Sequence, residues 1–123
     1  MAAQPKNIVV GFDGSEGARR ALEAAAHLIG YGSTLTVVSV DPSGAPTRRD
    51  ALAEARDWLL DRLVTATYLS RLGDAGDELV AAANELDADL LVVGRRGQDG
   101  KPAPGSVSAE VVRRAACDVL VVG

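Results

Sequence analysis

Two stretches of the chain carry residue types that suit the binding of a phosphorylated ligand. The first, Gly11-Phe12-Asp13-Gly14-Ser15, sets a carboxylate beside a glycine. Asp13 can accept hydrogen bonds from ribose hydroxyls, and Gly14 leaves room for a ligand to come close. The same residues read equally well as a turn and a helix cap, because Asp and Ser oxygens satisfy the orphan amides of a helix start. The second stretch runs from Gly94 to Ser108 and holds four glycines (Gly94, Gly97, Gly100, Gly105), three cations (Arg95, Arg96, Lys101) and two serines (Ser106, Ser108). It leads into a segment of helical period, and a helix N-terminus offers unpaired N–H groups and partial positive charge to an anion. Glycines let backbone amides approach phosphate oxygens, hydroxyls add donors, and the cations can neutralise outer phosphates. The competing reading is a surface loop kept soluble by its charges.

Both stretches need a scaffold, and the rest of the sequence describes one. Short apolar runs at Ile8-Val9-Val10-Gly11-Phe12, 35–40, 90–94 and 119–122 are rich in β-branched residues and lack polar alternation. Such runs suit strands covered on both faces, as in parallel sheets. A fifth run at 67–72 alternates and suits an edge strand. Helical stripes lie between them: Ala18, Ala21, Leu22, Ala25 and Ile29, with Arg19, Arg20, Glu23 and His27 opposite; Leu52, Ala55, Leu59 and Leu63; Leu79, Val80, Ala83 and Leu86; and Val107, Val111, Val112 and Ala115. Ser15, Thr47, Asp74 and Ser106 are placed to cap the four helices, and Gly30 and Gly32 to close the first. Strict alternation of strand and helix predicts one α/β domain over 1–123, an open parallel sheet with helices on both faces. In such sheets ligands bind beyond the carboxyl ends of strands where the strand order reverses, so the loops after the first and fourth runs are the places to look.

Composition narrows the function classes. With 123 residues and one cysteine, the chain can form a core without staples and no internal disulfide. A net charge of −4 and 3% aromatic residues argue against a nucleic-acid partner, which needs a basic face or stacking side chains. No run approaches the ~20 apolar residues of a membrane span, and no signal-peptide pattern precedes the first strand, so a cytoplasmic location is expected. One histidine and one cysteine cannot make a zinc cluster or a hydrolase triad, and neither a Walker A loop nor a GxGxxG fingerprint is present. His27 reads as a solvated surface residue, and Trp58 and Leu59 as core.

Four blocks, in this order, resemble the universal stress protein family. They are Ile8-Val9-Val10-Gly11-Phe12-Asp13-Gly14-Ser15, Ala88-Asp89-Leu90-Leu91-Val92-Val93-Gly94-Arg95-Arg96-Gly97, Gly105-Ser106-Val107-Ser108 and 115–122. The resemblance spans nearly the whole chain and implies a five-stranded parallel sheet of order 3-2-1-4-5. It implies ATP as ligand, with Mg²⁺ or Mn²⁺ on its phosphates. Asp13 would accept the ribose hydroxyls and the backbone of Val40 would bond the adenine edge. Gly94, Arg96 and Gly97 would line the ribose and phosphates, and Gly105, Ser106, Val107 and Ser108 would hold phosphates at a helix start. The family's Gly-x2-Gly-x9-Gly-Ser/Thr pattern is met at Gly94, Gly97, Gly105 and Ser106, but seven residues rather than nine separate Gly97 from Gly105. The resemblance also implies a homodimer through Val119 to Val122. No general base or nucleophile stands near the phosphates, so the expectation is a stress-signalling nucleotide binder that hydrolyses ATP slowly at most. The shortened loop favours an alternative, a dimeric interaction module of the same fold that does not bind nucleotide.

Overall fold

A computed structural model of the chain describes residues 5–41, 49–95 and 107–123. Its elements are β1 (Asn7–Gly11), α1 (Glu16–Leu28), β2 (Thr34–Asp41), α2 (Arg49–Asp61), β3 (Thr67–Leu72), α3 (Ala75–Glu85), β4 (Leu90–Gly94), α4 (Val107–Arg114) and β5 (Asp118–Val122). The five strands form one parallel sheet in the order β3-β2-β1-β4-β5, which is the order the resemblance implies.

The two-residue period of a strand sorts the apolar runs onto two faces. Ile8, Val10, Phe12, Leu35, Val37 and Val92 are buried on one side under Ala18, Ala21, Leu22 and Ala25 of α1 and Ala55 and Leu59 of α2. Val9, Val38, Val40, Leu91 and Val93 are buried on the other under Leu79, Val80, Ala82 and Ala83 of α3 and Val111 of α4. The central strands read as unbroken apolar runs because both of their faces are covered. At one edge, β3 does not keep the alternation expected: Thr67, Ser70 and Leu72 are exposed, while Tyr68 and Leu69 pack against the cores on opposite faces of the sheet.

Ser15 caps α1 by accepting from the Ala18 amide at 3.1 Å, and Asp74 caps α3 by accepting from Asp77 at 3.0 Å. The caps expected at Thr47 and Ser106 lie outside the described residues. Three expectations change. Gly30 and Gly32 do not cap α1: the helix ends at Leu28, the extended residue Ile29 donates to the Ala26 carbonyl, and Gly32 (φ +83°) turns the chain into β2. Leu63 is not part of the α2 stripe, because the helix ends at Asp61 and a left-handed turn (φ 59°) carries Leu63 into solvent. On α4 the buried line is Ser108 and Val111, and Val107 and Val112 are exposed, since only the face of this short helix toward α3 and the sheet is covered. Trp58 is half-buried, packed against the α1/α2 core rather than enclosed by it.

Candidate functional site

The order of the sheet reverses between β1 and β4. From β1 the chain crosses to β2 on one side, and from β4 it crosses to β5 on the other. At such a switch point, beyond the carboxyl ends of the two strands, an open parallel sheet offers a crevice to a ligand. Asp13 stands at this opening, two residues beyond β1, and Gly94 ends β4 beside it.

Asp13 shapes its own loop. Its Oδ1 accepts from the Ser15 amide at 2.9 Å, a local turn that leads directly into the Ser15 cap of α1. Gly14 takes φ +83°, which a side chain would strain. The turn-and-cap reading of Asp13 and Ser15 thus holds, with the half-buried carboxylate at the mouth of the crevice. Just before it, Phe12 extends the ladder by donating to Val38 at 2.9 Å, which fixes where the strand stops.

Gly94 has a different reason to be glycine. A Cβ there would lie 2.6 Å from the carbonyl carbon of Gly17 and 2.7 Å from its oxygen. The first turn of α1 packs backbone to backbone on the end of β4, so the space beside Gly94 belongs to the helix and its backbone alone faces the crevice. Gly17 was not singled out in the sequence; a glycine in the first turn of a helix facing a strand-end glycine was the available signal. Leu79 was missed as a site-shaping residue too. Its Cδ1 would stand 2.9 Å from a Cβ at Gly11, so it covers the end of β1 on the α3 side.

Val40 is buried on that same side, one residue from the end of β2. Its neighbours Ser39 and Asp41 are buried on the opposite face of β2; the Ser39 hydroxyl has no hydrogen-bond partner among the described residues. Val107 opens α4 in solvent and Ser108 is buried in the first turn of that helix. Arg96, Gly97, Gly105 and Ser106 lie outside the described residues. Arg95 donates its amide to Val122 at 2.8 Å, which extends the β4–β5 ladder, and its side chain passes Gly123.

The charges on α3 and α4 are spent on structure. Arg71 of β3 bonds Glu78 at 2.9 Å and Glu85 at 2.6 Å, and these hydrogen bonds, Glu85's first, raise its pKa and hold Glu85 below the usual carboxylate range. Arg114 of α4 bonds Asp77 and Glu110 and clamps α4 to α3. Among the described residues no group of three or more His, Cys, Asp or Glu is placed to hold a metal ion, and no helix is long and apolar enough to cross a membrane.

An open, doubly covered parallel sheet with a carboxylate at its switch point defines the class of α/β domains that receive ligands beyond their strand ends. Within that class the chain belongs to the universal stress protein family, whose sequence profile matches residues 5–123. Universal stress protein Rv1636 of Mycobacterium tuberculosis (strain H37Rv) is 35% identical, over 95% of this chain and 95% of its own. A universal stress protein solved in complex with cAMP is 32% identical with a TM-score of 0.85, over 98% of both chains. A universal stress protein from Archaeoglobus fulgidus is 26% identical with a TM-score of 0.75, over 96% of this chain and 98% of that one.

Proposed function

We propose that this universal stress protein binds an adenine nucleotide in the crevice between β1 and β4 and acts in the cytoplasm as a signalling protein rather than as a fast enzyme. The observation that carries the reading is the place of Asp13, at the switch point and two residues beyond β1. The likeness at 32% identity to a protein solved with cAMP supports an adenine nucleotide. In this reading Asp13 receives the ribose, the backbone of Val40 the adenine edge, and the backbone of Gly94 with Arg96 and Gly97 the ribose-phosphate side. Gly105, Ser106, Val107 and Ser108 take the phosphates at the start of α4. In this reading the ligand is ATP with Mg²⁺ or Mn²⁺. The seven residues between Gly97 and Gly105, two of them proline, favour a second reading in which one phosphate is held, as in AMP or cAMP.

Calorimetric titration with ATP plus Mg²⁺, AMP and cAMP tests both readings. At least one should bind, and the rank order decides between them. Asp13→Asn should keep the turn, because an amide oxygen can still accept from Ser15, while weakening the nucleotide about tenfold, as expected for removing a charge-assisted hydrogen bond. No heat with any of the three, or an unchanged affinity in the variant, overturns the assignment.

A further inference from the structure

The opposite end of α1 carries a second concave feature. A groove of about 440 Å³ opens between α1 and α2, lined by Glu23, Ala26, His27, Trp58, Arg62 and Val64. It lies at the amino ends of the strands, where α1 finishes and the chain leaves α2 for β3. Its lining residues on α1, Glu23 to His27, lie about 10–17 Å along the helix from its first residue, beyond the Asp13 turn.

Side-chain register explains why it is open. Arg19, Glu23 and His27 follow one another every fourth residue along α1, and Glu54, Trp58 and Arg62 do so along α2 and its end. The first of these pairs is closed: Arg19 grips Glu54 through two hydrogen bonds of 2.7 and 3.3 Å. The next positions make no such bond. Arg62 turns back instead, with its guanidinium 3.6 Å from the centroid of the Trp58 ring and bonded to the Trp58 carbonyl at 3.0 Å. Neither Glu23 nor Arg62 has an ion-pair partner among the described residues. His27 Nδ1 lies 3.0 Å from the Glu23 carbonyl oxygen. A carbonyl only accepts, so Nδ1 carries a proton and is spent on the helix's own backbone.

One wall of the groove therefore carries the Glu23 carboxylate, and the other a cation on an aromatic ring. Ala26 and Val64 supply apolar surface between them, and the volume is within the range of about 300–1,000 Å³ that small ligands occupy. A purely cationic ligand would meet Arg62, and a purely anionic one Glu23. We propose that this groove is a ligand site for a small organic zwitterion. Its ammonium meets Glu23, its carboxylate meets Arg62 where that side chain lies over Trp58, and its apolar body rests on Ala26 and Val64. This site does not depend on the nucleotide reading.

Trp58 is the only tryptophan of the chain, so its indole N–H gives a single NMR signal that reports on the groove. Titration with 4-(aminomethyl)benzoate should move that signal saturably, about tenfold more tightly than benzylamine or benzoate, each of which lacks one charge-assisted contact. Glu23→Gln should remove the advantage over benzoate, and Arg62→Gln the advantage over benzylamine. Both positions are exposed, so thermal unfolding should confirm that the variants stay folded. The proposal is overturned if the zwitterion leaves the Trp58 signal unmoved up to its solubility limit, if a singly charged probe binds as well, or if either variant keeps the wild-type preference.

Discussion

Single residues at the strand ends are constrained by backbone geometry as much as by any ligand. Gly94 and Gly11 both lie under close neighbours, but the neighbours differ in kind. At Gly94 the obstacle is the Gly17 backbone, which cannot swing aside; at Gly11 it is the end of the Leu79 side chain, which can. Gly94→Val should accordingly destabilise the protein by at least ~1–3 kcal/mol through overpacking, and Gly11→Ala by less. Urea unfolding of the two variants checks the order, and equal midpoints would refute the backbone-contact argument. Asp13 was readable as a ligand residue and as a turn former, and the structure gives it the turn. The two roles are compatible, because a carboxylate has more than one oxygen to offer.

At the scale of elements, one carboxylate helps to tie the amino end of the sheet. Asp89, just before β4, accepts from the backbone amides of Lys6 and Asn7 at 2.9 and 2.8 Å and so stitches the start of β1 to β4. The Asn7 bond, then the Lys6 bond, hold its carboxyl below its ordinary value of 3.8. Glu85 is likewise held below its ordinary value of 4.5 by Arg71. A carboxyl whose pKa is lower in the folded state adds stability above its unfolded value and loses it as pH falls through the folded one. Asp89→Ala should therefore lower the unfolding temperature near neutral pH. The gap from wild type should close as the pH is taken below about 4, into the range where both states bind the proton. A gap that persists undiminished in acid would show that the amide contacts do not depend on the charge. Thermal scans over a pH series make the comparison.

For the whole molecule, the two edges of the sheet differ. The β3 edge exposes Thr67 and Ser70 with Leu72 at its end, whereas β5 exposes Leu120 at 37% with half-buried Val119, Val121 and Val122 around it. Exposed Val112 of α4, the helix that leads into β5, adds to the apolar surface of the monomer. An apolar edge strand with unpaired backbone groups favours pairing with a second copy. The homodimer expected through Val119 to Val122 should appear in light scattering, and Leu120→Lys should convert it to a folded monomer. A wild-type monomer at micromolar concentration would overturn it.

Much of this molecule was legible before any coordinates. The runs at 67–72 and 90–94 became β3 and β4 with unchanged bounds, because each is a stretch too short for a helix and bounded by turn residues. Local chemistry likewise announced the caps at Ser15 and Asp74. The misses share a cause. Leu63, Val107 and Val112 fit a helical period, but burial depends on where a helix stops and which neighbour covers it, and neither is a property of the period. The strand order came from family likeness, since alternation of strand and helix does not say on which side of β1 each crossover lands. The contact of Gly17 with Gly94, and the register that opens the Trp58 groove, join residues 77 and 35 positions apart. The chain's own residues settled which segments are strands and helices, through interactions a few positions long. Tertiary packing alone decided which of them face one another, because that follows from distances between elements that no local pattern encodes.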